Sequence, residues 1–199
     1  LVPQGGYWHW LRQASSGGYA YGSTGIPAST STSSAVAADV DGDGRDDLVV
    51  RSATGDALRW RRSLASAGSA AFAAEQPLWS VPGASRLAES PFIQAAQRFR
   101  AANRTADFND DGRKDLMVLT VPYGCSANCA AQGRWHLLAS NGTALVAQAS
   151  IEAASDTLLG DFNADGLTDV AFATPQAGWQ LLLGAGARGS TLAVIAGPF

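Results

Sequence analysis

The chain has 199 residues, a formal net charge of -3 and 46% hydrophobic residues, and 16% of its residues are charged. This composition can bury a core, which excludes a disordered tail. The scattered arginines and the single lysine, Lys114, form no basic patch for nucleic acid. No apolar run approaches the length of a membrane span. The start at Leu1, without a signal peptide, predicts a processed product or a fragment of a longer protein.

The N-terminal stretch predicts two strands, Tyr7 to Leu11 and Tyr19 to Gly22, on either side of a turn. Ile26 to Ser34 is rich in Pro, Ser and Thr and predicts an exposed connection. Val36 to Ala38 then predicts a short strand that leads into the first of three repeated loops.

The repeated loop is rich in aspartate and has the pattern D-[VF]-[DN]-x-D-G-x-x-D-[LV], starting at Asp39, Asp107 and Asp161. Oxygen side chains at positions 1, 3, 5 and 9 suit a hard cation such as Ca²⁺, and Gly at position 6 permits the sharp turn. The start matches an EF-hand loop, but position 12 is apolar and a β-prone run follows position 9, so each loop leads into a strand. One such turn would be ordinary turn chemistry. Three in register predict three Ca²⁺ sites.

Each loop is followed by a strand, a turn, a second strand that carries a Trp, another turn and a last strand. The Trp residues are Trp60, Trp135 and Trp179, and we expect them at equivalent places in the packing between units. The last strands are predicted at 70–74, 143–148 and 191–196. With the lead-in strand, the unit has four strands.

Two insertions interrupt the units. Residues 76–102 include Ser90 to Phe99, where an N-cap, a Pro and helical spacing predict a short helix, with a strand as the alternative. Residues 121–133 hold both cysteines, Cys125 and Cys129. Two cysteines are too few for a structural zinc site. They are a small loop disulfide of an exported protein or two free thiols.

The repeat length indicates the architecture. Loop starts lie 68 and 54 residues apart (39 to 107 and 107 to 161), and without the insertions the unit approaches the ~40–50 residues of a propeller blade. The predicted fold is all-β, a β-propeller of four-stranded antiparallel blades, with three complete repeats and a leading half blade. Within a single module of residues 1–199, we place the half blade at 5–23 and the blades at about 34–75, 103–149 and 156–197.

The loops and the downstream G-x-W-x-L-L strand resemble the FG-GAP/VCBS-type Ca²⁺-binding repeats, which include the integrin α-subunit propeller. In style they are most similar to bacterial exported members of the Rhs and toxin-complex type. The resemblance covers most of residues 34–199 and implies a ligand set for each loop, with the position-7 residue contributing its carbonyl. The implied ligands are Asp39, Asp41, Asp43, Arg45 and Asp47; Asp107, Asn109, Asp111, Arg113 and Asp115; and Asp161, Asn163, Asp165, Leu167 and Asp169.

Catalysis finds little support in the sequence. No nucleophile elbow, phosphate loop or H-E-x-x-H motif is present, and the only histidines, His9 and His136, lie beside Trp in corresponding strands. We therefore expect a Ca²⁺-stabilised binding or scaffold module, secreted or at the surface of a bacterium, whose partner is a protein or another part of a larger polypeptide.

Two alternatives remain open. A propeller lectin would bind carbohydrate on the N-terminal aromatics, which are Tyr7, Trp8, Trp10, Tyr19 and Tyr21. A polysaccharide-degrading enzyme of which this chain is the propeller part is the other. Among the three loops, the first has four carboxylates at the predicted ligand positions where the others have three and an Asn, so we expect it to bind Ca²⁺ slightly more tightly.

Overall fold

The structure, a computed structural model, describes residues 2–13, 17–27, 35–64, 71–88, 105–126, 129–152, 156–174, 178–184 and 194–196. These residues form sixteen β-strands in four antiparallel sheets and one short 3₁₀ helix, Cys129–Gln132. Within the described part of the chain, no helix is long and apolar enough to cross a membrane. The strands are β1 Val2–Gln4, β2 Tyr7–Gln13, β3 Tyr19–Pro27, β4 Ala35–Ala38, β5 Asp47–Arg51, β6 Ala57–Arg61, β7 Gln76–Ser80, β8 Ser85–Leu87, β9 Thr105–Ala106, β10 Asp115–Pro122, β11 Arg134–Ser140, β12 Leu145–Glu152, β13 Asp156–Gly160, β14 Asp169–Thr174, β15 Gly178–Leu182 and β16 Val194–Ala196.

The N-terminal sheet has three strands in the order β1-β2-β3. It is therefore larger than the predicted two-stranded half unit at 5–23. The prediction of an exposed connection from Ile26 is wrong at its start, because β3 continues to Pro27 and Ile26 is buried. Ile26 packs with Trp8 against Leu48 of the next sheet, and this contact extends the strand.

Sheet 1 has the order β4-β5-β6-β7 and confirms the predicted lead-in strand. Its last strand is Gln76–Ser80 rather than residues 70–74. Residues 71–74 contribute one isolated bridge, between Phe72 and Ser63. Leu78 explains why residues 76–80 rather than 70–74 form the fourth strand. In β7 its side chain reaches the core between sheets 1 and 2.

Sheet 2 has the order β12-β11-β10-β8, and β9 also pairs with β10. Its first strand is thus split, because β9 pairs with the start of β10 and β8 with its end. Strand β8 lies inside the predicted insertion 76–102, which is therefore partly sheet. The predicted helix from Ser90 to Phe99 lies outside the described residues.

The second insertion begins later than predicted, because β10 continues to Pro122. Cys125 and Cys129 are joined by a disulfide, which is one of the two alternatives that the sequence left open. The last strand of sheet 2 runs over Leu145–Glu152, beyond the predicted end of that unit at residue 149. Sheet 3 is four-stranded, in the order β13-β14-β15-β16.

Consecutive sheets pack face to face through three apolar cores. Side chains alternate between the two faces of a strand, so Leu48 of β5 faces the N-terminal sheet while Val49 faces sheet 2. The same alternation puts Leu116 against sheet 1 and Met117 against sheet 3. Each of the two middle sheets is therefore covered on both faces.

The Trp residues only partly follow the prediction. Trp60 and Trp135 are buried between sheets, but Trp179 is exposed. The register of the Trp strand also differs between sheets. Trp135 and Trp179 pair with Leu119 and Ala173, each four residues after the ninth Asp of its loop. Trp60 pairs with Val49, two residues after the ninth Asp. In sheet 1 the residue equivalent to Trp135 and Trp179 is Leu58, which pairs with Arg51. The shift of two residues keeps Trp60 on the same face of the sheet.

The outer faces of the end sheets are apolar and exposed. In the N-terminal sheet, His9 stacks on Tyr21 with ring centroids 5.3 Å apart, and the exposed side chains beside them are Tyr7, Leu11 and Tyr19. In sheet 3, the face away from sheet 2 carries exposed Leu158 and Trp179. Nothing in the described part of the chain covers these two faces.

Candidate metal centre

The Asp-rich loops lie at the same place in the three repeats, where the first strand of a sheet turns into the second. Loop 1 comprises residues 39–47, loop 2 residues 107–115 and loop 3 residues 161–169. Positions 4 and 6 of every loop have positive φ, for example 78° at Gly42 and 82° at Gly44. Position 4 is a non-glycine residue in the other loops, with φ of 55° at Asp110 and 60° at Ala164. The pattern predicted only the turn at position 6.

The two left-handed residues turn successive backbone N–H groups toward the first carboxylate of the loop. Asp39 accepts hydrogen bonds from the N–H groups of Asp43 at 3.1 Å and Gly44 at 2.9 Å. The first carboxylates of loops 2 and 3 accept from the same two positions. The carboxylate at position 5 accepts from the N–H group of position 7 in each loop, at 3.0, 2.9 and 2.8 Å. The three loops therefore share one conformation.

Loop 1 gathers three carboxylates. Asp39, Asp41 and Asp43 each offer an oxygen, and these oxygens all lie within 4.8 Å of one another. Asp47, the ninth residue, is not part of this group. Loops 2 and 3 carry Asn109 and Asn163 at position 3, and each amide donates to the Asp at position 5, at 3.1 and 2.8 Å.

The ninth residue of each loop joins the loop to its sheet. Asp47 accepts hydrogen bonds from the N–H groups of Val40 at 3.2 Å and Ser63 at 2.7 Å. Asp115 and Asp169 are equally buried and accept the matching pairs, at 2.7 to 2.8 Å. Both oxygens of each carboxylate thus hold backbone groups together, a role that the ligand prediction did not include.

Burial raises the pKa of Asp47 to about 6 and that of Asp115 to about 6. The backbone N–H donors oppose this change, while the neighbouring loop carboxylates add to it. Clustered carboxylates of this kind gain from a cation, because its charge favours their ionised forms.

Two buried oxygens fit a cation ligand role. Oδ2 of Asp41 and Oδ1 of Asn109 are buried, and neither accepts a hydrogen bond. Both belong to position 3 of a loop, and the side chain of Asp41 is only 7% exposed. Buried polar atoms normally have a partner. At Asn109 a hard cation would supply one, because it takes oxygen ligands from a loop of this kind. Oδ2 of Asp41 already has an ion-pair partner in Arg62, which a cation would have to replace.

The loops differ in exposure and in the arginines near them. Residues 161–166 of loop 3 are all exposed, whereas positions 1, 3 and 5 of loops 1 and 2 are half-buried. Arg45 and Arg113, at position 7, form ion pairs with the Asp at position 5 of their own loops. Whether the carbonyls of Arg45, Arg113 and Leu167 bind a cation stays a prediction. Asp46 and Asp110 are exposed.

The sequence did not predict that a charged residue from another segment contacts loop 1. Arg62, just after β6, forms ion pairs with Asp41 and, at 3.9 Å, with Asp43. It lies far along the chain from the loop, and strand pairing brings it close. The Asp41 contact is an ion pair without hydrogen-bond alignment, since Oδ2 of Asp41 accepts no hydrogen bond.

Fold and loops together define a class, that of all-β repeat proteins in which antiparallel sheets carry an Asp-rich loop between their first two strands; three of the four sheets do so here. The FG-GAP-like repeat family matches residues 1–50, and the FG-GAP repeat family matches residues 31–71. On these matches, residues 1–71, which include loop 1, carry FG-GAP-type repeats. No curated protein and no solved structure matches the chain significantly.

Proposed function

We propose that this chain is a Ca²⁺-stabilised binding or scaffold module. The observation that carries the proposal is the shared conformation of the three loops, with the Asp39, Asp41 and Asp43 oxygens within 4.8 Å of one another in loop 1. In this proposal each loop holds one Ca²⁺. The ion offsets the repulsion between the loop carboxylates, and the ninth Asp transmits this stabilisation to the sheet through its backbone hydrogen bonds.

The architecture that we propose is a β-propeller, or a segment of one. Packing of each middle sheet on both faces supports it, because a propeller blade buries both faces against its neighbours. The exposed faces with Tyr21 and Trp179 would then be covered by further sheets, supplied by a larger polypeptide or by a protein partner. Apolar sheet faces of this kind are typical of interaction surfaces.

We also propose that the protein works outside a bacterial cell, in the style of exported Rhs or toxin-complex proteins. The disulfide between Cys125 and Cys129 supports export, because disulfides persist in oxidising compartments. Extracellular Ca²⁺ is abundant enough to fill weak sites. The module itself would not be catalytic, although a catalytic domain elsewhere in a larger polypeptide would be compatible with this role.

The test removes one carboxylate from each loop in turn. Asp43→Ala, Asp111→Ala and Asp165→Ala should each lower the melting temperature in Ca²⁺ and reduce the further loss that EDTA causes. Asp46→Ala is the matched control, because Asp46 is an exposed Asp of loop 1 outside the predicted ligand positions. Thermal unfolding in millimolar Ca²⁺ and in EDTA measures both effects. Melting temperatures that do not respond to Ca²⁺ in any variant would refute the proposal.

Carbohydrate binding is a second candidate, favoured by the exposed tyrosines of the N-terminal sheet. Tyr19 is 71% and Tyr21 55% exposed, and flat aromatic rings can stack on sugar rings. Trp8, one of the predicted sugar-binding aromatics, is buried and therefore cannot contact a sugar. A glycan array in millimolar Ca²⁺, with Tyr19→Ala as a control variant, tests this function. No saturable binding by the folded protein would leave only the scaffold role.

A further inference from the structure

We propose that Arg62 is a built-in competitor for the cation of loop 1, so that loop 1 binds its cation more weakly than its carboxylates alone would allow. The inference rests on the Ca²⁺ role proposed above and adds a residue that sets the affinity of one site. It reverses the expectation that loop 1, with its additional carboxylate, binds Ca²⁺ slightly more tightly than the other two loops.

The contacts of Arg62 carry this inference. Its guanidinium forms ion pairs with Asp41 and Asp43, two of the three clustered carboxylates of loop 1. The Asp41 side chain is 7% exposed and the Arg62 side chain 52%. The carboxylate is therefore held in the loop, whereas the arginine can withdraw into solvent when a cation takes its place.

The position equivalent to Arg62 holds an uncharged residue at each of the other two loops. It directly precedes Ser63, whose N–H group donates to the ninth Asp of loop 1 at 2.7 Å. The residues that make the same bond in loops 2 and 3 are Ser140 and Gly184, at 2.8 and 2.7 Å. The residues before them are Ala139 and Leu183, which carry no charge.

The charges then favour weaker binding at loop 1. Positions 1, 3 and 5 hold three carboxylates there, but the guanidinium groups of Arg45 and Arg62 lie against them. Loop 3 holds two carboxylates, Asp161 and Asp165, and Leu167 stands where the other loops have an arginine. A cation entering loop 1 must displace or approach a positive charge, which lowers its affinity.

A third arginine near loop 1 does not share this role. Arg113 of loop 2 lies near Gly42, where an added Cβ would come 3.0 Å from its Cγ atom. Its guanidinium, however, is bound by Asp111 at 2.8 Å and by the carbonyl of Ser140 at 3.3 Å. It therefore belongs to loop 2.

The experiment measures Ca²⁺ binding by isothermal titration calorimetry for the wild type, Arg62→Ala and Arg59→Ala. Arg59 is the matched control, because it lies on β6, is similarly exposed and pairs with Glu75 at 3.8 Å instead of with the loop. Arg62→Ala should tighten one of the sites about tenfold, since a half-exposed guanidinium next to a buried carboxylate is only partly screened. Arg59→Ala should change none of them. Adding Asp41→Asn to Arg62→Ala should remove the gain, which assigns it to loop 1.

Thermal unfolding gives a second readout. In EDTA, Arg62→Ala should lower the melting temperature, because Asp41 loses its counterion, and saturating Ca²⁺ should abolish this loss. Unchanged or weaker Ca²⁺ affinity in Arg62→Ala, with binding by the wild type intact, would overturn the role of Arg62 alone. If neither protein binds Ca²⁺, the proposed function fails, and the effect of Arg62→Ala on the melting temperature would be equal with and without Ca²⁺.

Discussion

The fourth position of the Asp-rich loop allows a prediction in which one substitution stabilises the protein and a matched one destabilises it. Gly42 and Ala164 hold this position in loops 1 and 3, with φ of 78° and 60°. A left-handed backbone costs a residue with a Cβ atom about 1–2 kcal/mol. Ala164→Gly should remove that cost. The glycine also raises the conformational entropy of the unfolded chain, which offsets about 0.4–1 kcal/mol of the gain.

The net effect of Ala164→Gly is a gain of about 0.5–1 kcal/mol. A change of 1 kcal/mol moves the melting temperature of a domain of this size by about 2–4 °C, so we expect a rise of about 1–4 °C. Gly42→Ala should do the opposite. Its new Cβ atom would also lie 3.0 Å from Cγ of Arg113, whose head group is bound at two places. We expect a loss of about 1–2 kcal/mol.

Thermal unfolding followed by circular dichroism measures both variants, in EDTA and in Ca²⁺. The comparison in EDTA isolates the backbone effect from any change in cation binding. The reasoning would be refuted if Ala164→Gly lowered the melting temperature, or if both variants moved it in the same direction.

Three further predictions concern residues outside the three Asp-rich loops. Ser140→Ala should lower the free energy of unfolding by about 1–2 kcal/mol, because the Ser140 hydroxyl donates to the carbonyl of Val40 at 2.6 Å and so links sheets 1 and 2; a denaturant titration without a shifted midpoint would contradict this. Burial, and to a lesser extent Arg134, lowers the pKa of His136, so the folded chain keeps the ring neutral. Its contribution to stability is therefore full above the ordinary pKa of about 6.5 and is lost as the pH falls below that value. Unfolding titrations from pH 8 to 5 should show a smaller loss in His136→Gln, and equal losses would exclude this cause. Replacing both Cys125 and Cys129 by Ser should cost about 2 kcal/mol, since the closed loop is short; loss of folding would show a larger role for the bridge.

The sharp turn at position 6 of the loops could be predicted because it depends on interactions within nine residues. The first carboxylate meets the N–H groups of positions 5 and 6, and Gly at position 6 supplies the required turn. Such contacts repeat wherever the pattern repeats. The disulfide is similarly local, since only four positions separate Cys125 from Cys129.

The all-β class and most strands also followed from the sequence. The β-prone runs after Asp47, Asp115 and Asp169 form β5, β10 and β14, because apolar, β-branched-rich segments pair into buried sheets. The ends of the repeats were less predictable. Both 71–74 and 76–80 could form the last strand of sheet 1 by their local sequence. The contact of Leu78 with the core between sheets 1 and 2 favours 76–80 as that strand.

Tertiary structure alone decided which distant groups meet at the loops. Pairing of β5 with β6 brings Ser63 to Asp47 and places Arg62 beside Asp41. Packing of sheet 2 on sheet 1 brings the hydroxyl of Ser140 to Val40, 100 positions away in the chain. Tertiary structure also decided the register of β5 and β6, which places Leu58 rather than Trp60 opposite Arg51. Local sequence determines a turn through its own hydrogen bonds, whereas strand register and sheet stacking depend on the energy of contacts between segments that the sequence keeps apart.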